Sequence, residues 1–216
     1  KIYEARYVSG VVAGMKLKEM IDNGDITADK AKIGYVGAFP YAEVISGFTS
    51  FFLGARSIVD TVTMEVQYTN SWADMSMENE VATKLIQDGC VLISQHADTT
   101  GAPTACEAAK VPCVGYNVDM MSVAPTCALT SPSNNWGAFY TIAVDSYLNG
   151  QSIPVDWAGG YDDGVVYITP LNSSAIAEGT EEGVLGQFLG VHHDAHLPCN
   201  HGEDLLPIAD HHLVLP

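Results

Sequence analysis

CVLISQHADTTGAPTACEAAKVPCVGYNVDMM, residues 90–121, is the stretch whose reading decides the fold. Val91–Ser94 is a short apolar run without alternation, the pattern of a strand buried on both faces. It runs into a polar cluster, His96–Ala97–Asp98–Thr99. Gly101 and Pro103 then open an Ala-rich helix that reaches about Lys110. Pro112 introduces a second apolar run, Cys113–Tyr116, which ends in Asn117–Val118–Asp119. In an open parallel sheet, ligands sit beyond the carboxyl ends of the strands. Two successive strands that deliver Asp-bearing loops to one edge therefore suggest a site. Asp98 and Asp119 read equally well, one at a time, as N-caps of the helices that follow them.

Outward from this unit the same alternation repeats. A helix is expected from Tyr3 to about Asn23, then strand Ile33–Val36, a helix to about Leu53, and strand Val62–Tyr68. Met64, Val66 and Tyr68 alternate there with Thr63, Glu65 and Gln67, so one face of that strand is expected to be less buried. A helix over Asp74–Asp88 follows. The repeat of about 25–30 residues per unit suits right-handed βαβ crossovers and a parallel sheet with helices on both faces. Beyond Met121 the pattern changes. Ala124–Pro125 and Ser131–Asn135 read as loop, and a crossing to a second region is expected. Asn135–Leu148 reads as a helix whose apolar side carries Trp136, Phe139, Tyr140, Ile142, Val144 and Tyr147. Gly164–Ile168 reads as a strand, and Ala175–Gln187 as a weak acidic helix.

Composition narrows the function. The chain of 216 residues carries a net charge of −17, so a phosphate backbone would be repelled and nucleic acid is excluded as a partner. With 47% hydrophobic residues it can bury a sizeable core. No apolar run approaches a membrane span. Five cysteines include no CxxC pair; Cys90 and Cys113 read as buried thiols, and Cys106 and Cys113 fall where helix and strand can meet. The segment from about Gly190 onward holds six of the seven histidines and has neither helical nor strand period. A zinc site can be drawn on His192, His196, Cys199 and His201, but an irregular tail is the preferred reading, with no metal.

Four strand exits bring Phe39 and Tyr41, Asn70 and Trp72, His96 and Asp98, and Asn117 and Asp119 to one edge. The aromatics offer flat faces for a planar ring. The carboxylates and amides offer fixed partners for a polyol or a heterocycle edge. A nucleoside needs both. As alternatives, Phe39 and Trp72 also suit packing between lobes, and His96 suits a hydrogen-bonded structural role. No nucleophile elbow, Walker loop or GxGxxG follows a strand, so no cofactor and no catalysis are expected.

Six stretches resemble the basic membrane protein family, the substrate-binding lipoproteins of ABC importers for purine nucleosides and related compounds. They are IYEARYVSGVVAG at 2–14, KIGYVGAFPYAEVISG at 32–47, TNSWAD at 69–74, ISQHADT at 93–99, GYNVDM at 115–120 and NNWGAFY at 134–140, with DDGVV at 162–166 as a late strand. The resemblance implies a type I periplasmic binding protein fold: two α/β lobes joined by a hinge, with the ligand between them. It implies that residues 1–30 are a hinge-proximal helix of lobe one, 31–121 are lobe two, 122–188 return to lobe one, and 189–216 are the irregular His-rich tail. Lobe one would then be incomplete, with its opening strands, signal peptide and lipidated cysteine upstream, and 3–23 and 124–185 would expose apolar surface. The ligand-binding residues it implies are Phe39, Trp72, His96, Asp98, Asn117, Asp119 and Trp136, with Asp119 on the ribose hydroxyls and Trp72 stacked on the base. The implied partners are a purine nucleoside or nucleobase and the permease and ATPase subunits. The implied location is extracytoplasmic, periplasmic or surface-anchored, with the membrane reached only through a lipid anchor absent from this chain. The readings that compete are a nucleoside- or sugar-processing enzyme on a similar α/β fold and a sensory ligand-binding module.

Overall fold

Four parallel strands carry the fold. They are β1 (Lys32–Gly37), β2 (Thr63–Tyr68), β3 (Leu92–His96) and β4 (Cys113–Val114). The structure, a computed structural model, describes residues 1–184 and the backbone of 212–215. The helices are α1 (Ile2–Asp22), α2 (Ala42–Arg56), α3 (Met75–Gln87), α4 (Gly101–Ala109) and α5 (Trp136–Leu148). Short strands β5 (Pro132–Asn134) and β6 (Val166–Ile168) form an antiparallel pair. β7 (His212–Leu215) lies antiparallel on the free edge of β2, so the main sheet runs β4-β3-β1-β2-β7. Part of the tail expected to be irregular is thus a strand. HLVL is a short β-prone run, and the open edge of β2 offers it unpaired backbone groups. The drawn zinc ligands and the end of the acidic helix lie outside the described residues; its start, near Thr180, is helical.

The order places β1 at the reversal point. The chain moves from β1 to β2 on one side and then to β3 on the other. Register aligns Gly37 with Tyr68 and with His96, so three strand exits leave the sheet at one level. α1 and α2 cover one face; they cross where Gly10 and Gly54 let backbone touch backbone, and a Cβ at either would collide with the facing helix. α3 and α4 cover the other face. The main core joins one face of β1 and β2 to α1 and α2 through Val12, Leu17, Ile33, Tyr35, Phe51 and Met64.

Two expectations fail. The face of β2 thought to be open is buried: Glu65 and Gln67 are almost fully covered. Their polar ends are satisfied, since Lys32 Nζ pairs with Glu65 at 2.6 Å and Gln67 Nε2 donates to Glu65 at 2.8 Å. The second, that 3–23 and 124–185 expose apolar surface, fails by half: α1 is covered by α2, β5 and β6, whereas 124–185 does expose apolar side chains, on α5 and at Ile153, Val155 and Tyr167. The chain beyond Met121 first returns along β4: Cys113 N–H donates to Cys127 O, Leu129 N–H to Cys113 O, and Gly115 N–H to Thr130 O.

Candidate functional site

The exits of the parallel strands are tied to one another. Ala38 N–H donates to His96 O at 3.2 Å, and Asp98 N–H donates to Trp72 O at 2.7 Å. Asn117 Nδ2 donates to Asp98 Oδ1 at 2.8 Å. Ser133 Oγ donates to Asn117 O at 2.6 Å, which links the β5 strand to the same rim. Asn70 and Asn117 have positive φ, 55° and 63°, where Asn is better tolerated than other non-glycine residues. Their place in the sequence is explained by turn geometry first.

A cavity of about 470 Å³ opens on this rim. Trp72, Asp98, Asn117 and Trp136 line it, together with Glu43, Ser46, Tyr116, Asn134 and the first residues of α1. Four of the seven sequence-predicted residues are therefore brought together. Phe39 stands behind them: it stacks on Tyr41 at 5.0 Å and 11° and tilts against Trp72 at 5.9 Å. His96 is fully buried and does not line the cavity; its ring meets the edge of Trp72 at 6.3 Å and of Tyr116 at 4.6 Å. Asp119 is exposed on the loop after β4, outside the cavity lining, and its Oδ1 accepts from Met121 N–H at 2.8 Å. Neither aspartate caps a helix: α4 starts after Thr100, and Asp119 closes a turn. A second cavity, of about 420 Å³ between Glu19 and 173–182, holds carboxylates and backbone but no aromatic ring.

The rim's electrostatics follow from burial. Burial, and secondarily the nearby Arg6 charge, pushes His96 down to about 4, so the ring is neutral at pH 7. Its Nδ1 lies 3.4 Å from the Tyr35 hydroxyl and its Nε2 3.4 Å from Glu43 Oε1. Contact with His96 lowers Glu43 below the usual carboxylate range. Burial raises Asp98, against the hydrogen bond from Asn117. Sequence reading missed Tyr116, Glu43 and Arg6. Arg6 does carry a sequence signal: it lies four residues after Ile2 and seven before Ala13, on a helix face that is otherwise apolar or small.

What the rim can do is hold a flat, polar solute, because aromatic rings, carboxylates and amides line the same cavity. The profile of the Bmp family, ABC transporter substrate-binding protein PnrA-like, matches residues 1–183. A purine-binding protein of Brucella abortus is 32% identical, over 88% of this chain and 54% of its own length. A putative ABC transporter glucose-binding protein of Haloferax volcanii is also 32% identical, over 88% of this chain and 48% of its own. The chain thus spans about half the length of these curated relatives. A solute-binding protein of an ABC transporter system from Conexibacter woesei superposes with a TM-score of 0.66 at 18% identity, over 89% of this chain and 62% of that one, which shows a shared type I periplasmic-binding-protein fold.

Proposed function

The chain belongs to the Bmp family of PnrA-like ABC transporter substrate-binding proteins, and from that premise we propose that, outside the cytoplasm, it takes a purine nucleoside or nucleobase at the rim of its parallel sheet and delivers it to a permease driven by ATPase subunits. The family is one of binding proteins, not enzymes. The observation that carries the purine reading is the sharing of one cavity by Trp72, Trp136, Asp98 and Asn117. In the proposal Trp72 stacks on the base, backed by Phe39 and Tyr41. Asp98 and Asn117 meet polar edges, and His96 holds the wall from behind. Asp119 takes the ribose hydroxyls with the oxygen that its turn leaves free. The Brucella abortus relative, by its name, supports a purine.

A hexose is the second reading, favoured by the glucose named for the Haloferax volcanii relative and by the fact that rings facing carboxylates also suit a sugar. Calorimetry with adenosine, adenine and glucose separates the two. Saturable heat with adenosine and none with glucose is the expected result. Binding of glucose alone overturns the purine reading. Asp119→Ala then tests the ribose assignment. A hydrogen bond to a charged group is worth about 1.5–3 kcal/mol, so adenosine should lose about ten- to hundredfold in affinity while adenine loses little. Equal loss for both would move Asp119 off the ribose.

A further inference from the structure

Arg6 is fully buried in the second turn of α1. A guanidinium does not shed its proton inside a protein, so a full charge sits in the core. Its Nη1 donates to Gln95 O at 2.6 Å, next to the residue that ends β3. Its Nε and Nη2 meet no protein acceptor, and no carboxylate lies within ion-pair distance of it among the described residues. Instead the guanidinium lies 4.2 Å from the centroid of the Tyr116 ring, with Tyr35 at 5.8 Å. Tyr116 lines the cavity, so the cation stands on one side of a ring whose other surroundings include the site.

The groups around Arg6 come from every element packed there. α2 contributes Glu43, β1 contributes Tyr35, the end of β3 contributes His96 and Asp98, and the exit of β4 contributes Tyr116. The packing is close: a Cβ added to Gly47 of α2 would stand 2.7 Å from His96 Nδ1 and 3.6 Å from Arg6 Nε. Tyr35 and Tyr116 are raised by burial and stay neutral. His96 is neutral at pH 7. Lys1, at the cavity mouth, lies 3.6 Å from Glu4, and those two charges answer each other. The anions that remain are Glu43 and Asp98, which line the same cavity as Tyr116, the ring that Arg6 stacks on.

We propose that Arg6 is the counter-charge and positioning residue of this cavity: a buried cation, stacked on Tyr116 and tied to Gln95, that offsets one of the two negative charges of Glu43 and Asp98 and so weakens the site's attraction for cationic solutes relative to neutral ones. This rests on the reading above that the cavity is the solute site. Without Arg6 the same walls would carry two uncompensated carboxylates, a site suited to a cation. The buried charge needs those carboxylates in turn, because an uncompensated ion in the core is costly.

Carbon-detected NMR titration of the side-chain carboxyls, without ligand, reads the charge balance in the full chain. In Arg6→Gln the Asp98 midpoint should rise by about half a pH unit or more, since a nearby opposite charge has been removed. In Arg6→Lys, which keeps a charge, it should stay near the wild-type value. An unmoved midpoint in Arg6→Gln overturns the proposal. The selectivity arm compares adenosine with 1-methyladenosine, a cation at neutral pH. Arg6→Gln should lose about tenfold of the preference for adenosine, and Arg6→Lys should keep most of it. Parallel loss for both nucleosides with the ratio unchanged means a merely structural residue and also overturns the proposal. Failure of wild type to bind either nucleoside would refute the purine reading, while the ligand-free titration still decides the charge balance. If Arg6→Gln does not fold, Glu43→Gln decides: with Arg6 kept and one carboxylate gone, the binding preference should shift by several fold further toward adenosine over 1-methyladenosine. An unchanged preference overturns the proposal.

Discussion

α3 and α5 are both helices of 13 residues, and their fates are the reverse of their compositions. α3, MSMENEVATKLIQ, is rich in charge yet buries Glu78, Val81, Ala82 and Leu85. α5, WGAFYTIAVDSYL, has a single charged residue and buries nothing; Trp136 is 60% exposed and Tyr147 78%. The reason lies in what each helix connects. α3 is the crossover between β2 and β3, so right-handed βαβ geometry lays it on the sheet and against α4. α5 joins β5 to β6, a two-stranded pair that packs on α1, and among the described residues no element covers the face of α5. Apolar periodicity reports which face a helix can bury. Topology decides whether another element is there to bury it.

The largest effect that tests this contrast is in the core. Leu85→Ala removes a fully buried side chain from α3 and should cost about 2–5 kcal/mol in urea unfolding. Tyr147→Ser, on α5, should stay within about 0.5 kcal/mol of wild type. Comparable losses for the two would mean that α5 is buried in solution, and the comparison would break.

The next effect is pH dependence. His96 is held near 4 in the fold, against an ordinary value of 6.5, so the unfolded chain takes up its proton first as pH falls. Stability from this group is complete above about pH 6.5 and is lost on the way down to about 4. By pH 5 the loss should be about 2 kcal/mol. Asp98 and Glu78, raised by burial, oppose it, because there the folded state gains protons before the unfolded one. Urea midpoints from pH 7 to 5 should therefore fall in wild type and fall less in His96→Gln. Equal slopes would place a charged or solvated ring at this position.

The smallest effect is at the helix starts. The Asp74 side chain accepts from Met77 N–H at 2.9 Å and caps α3, whereas Asn135 makes no such bond at α5. Asp74→Ala should cost about 1 kcal/mol, and Asn135→Ala clearly less. Equal costs would mean that the exposed helix depends on its first turn as much as the packed one does.

The parallel sheet was legible because β1, β3 and β4 are short apolar runs, β2 alternates, and all four alternate with helix-length segments; the rim followed from their exits. Trp72, Asp98 and Asn117 share the cavity on that basis, and Trp136, implied by the family resemblance alone, lines it with them. The burial of Glu65 and Gln67 was not legible, because it depends on Lys32 from the neighbouring strand. Nor was the pairing of His212–Leu215 with β2, which needs a free sheet edge rather than a periodic sequence. The burial of Arg6 could have been suspected from its place on an apolar helix face; its stacking on Tyr116, from a distant segment, could not.

The central claim is that the exits of the parallel strands form the solute site, with Trp72 as its stacking face. Titration of adenosine into Trp72→Ala, with Tyr147→Ser as the control on the bare helix, tests it most directly. Stacking is worth about 1–3 kcal/mol per base, so Trp72→Ala should bind about five- to hundredfold more weakly while Tyr147→Ser binds as wild type does. Wild-type affinity in Trp72→Ala would contradict the account.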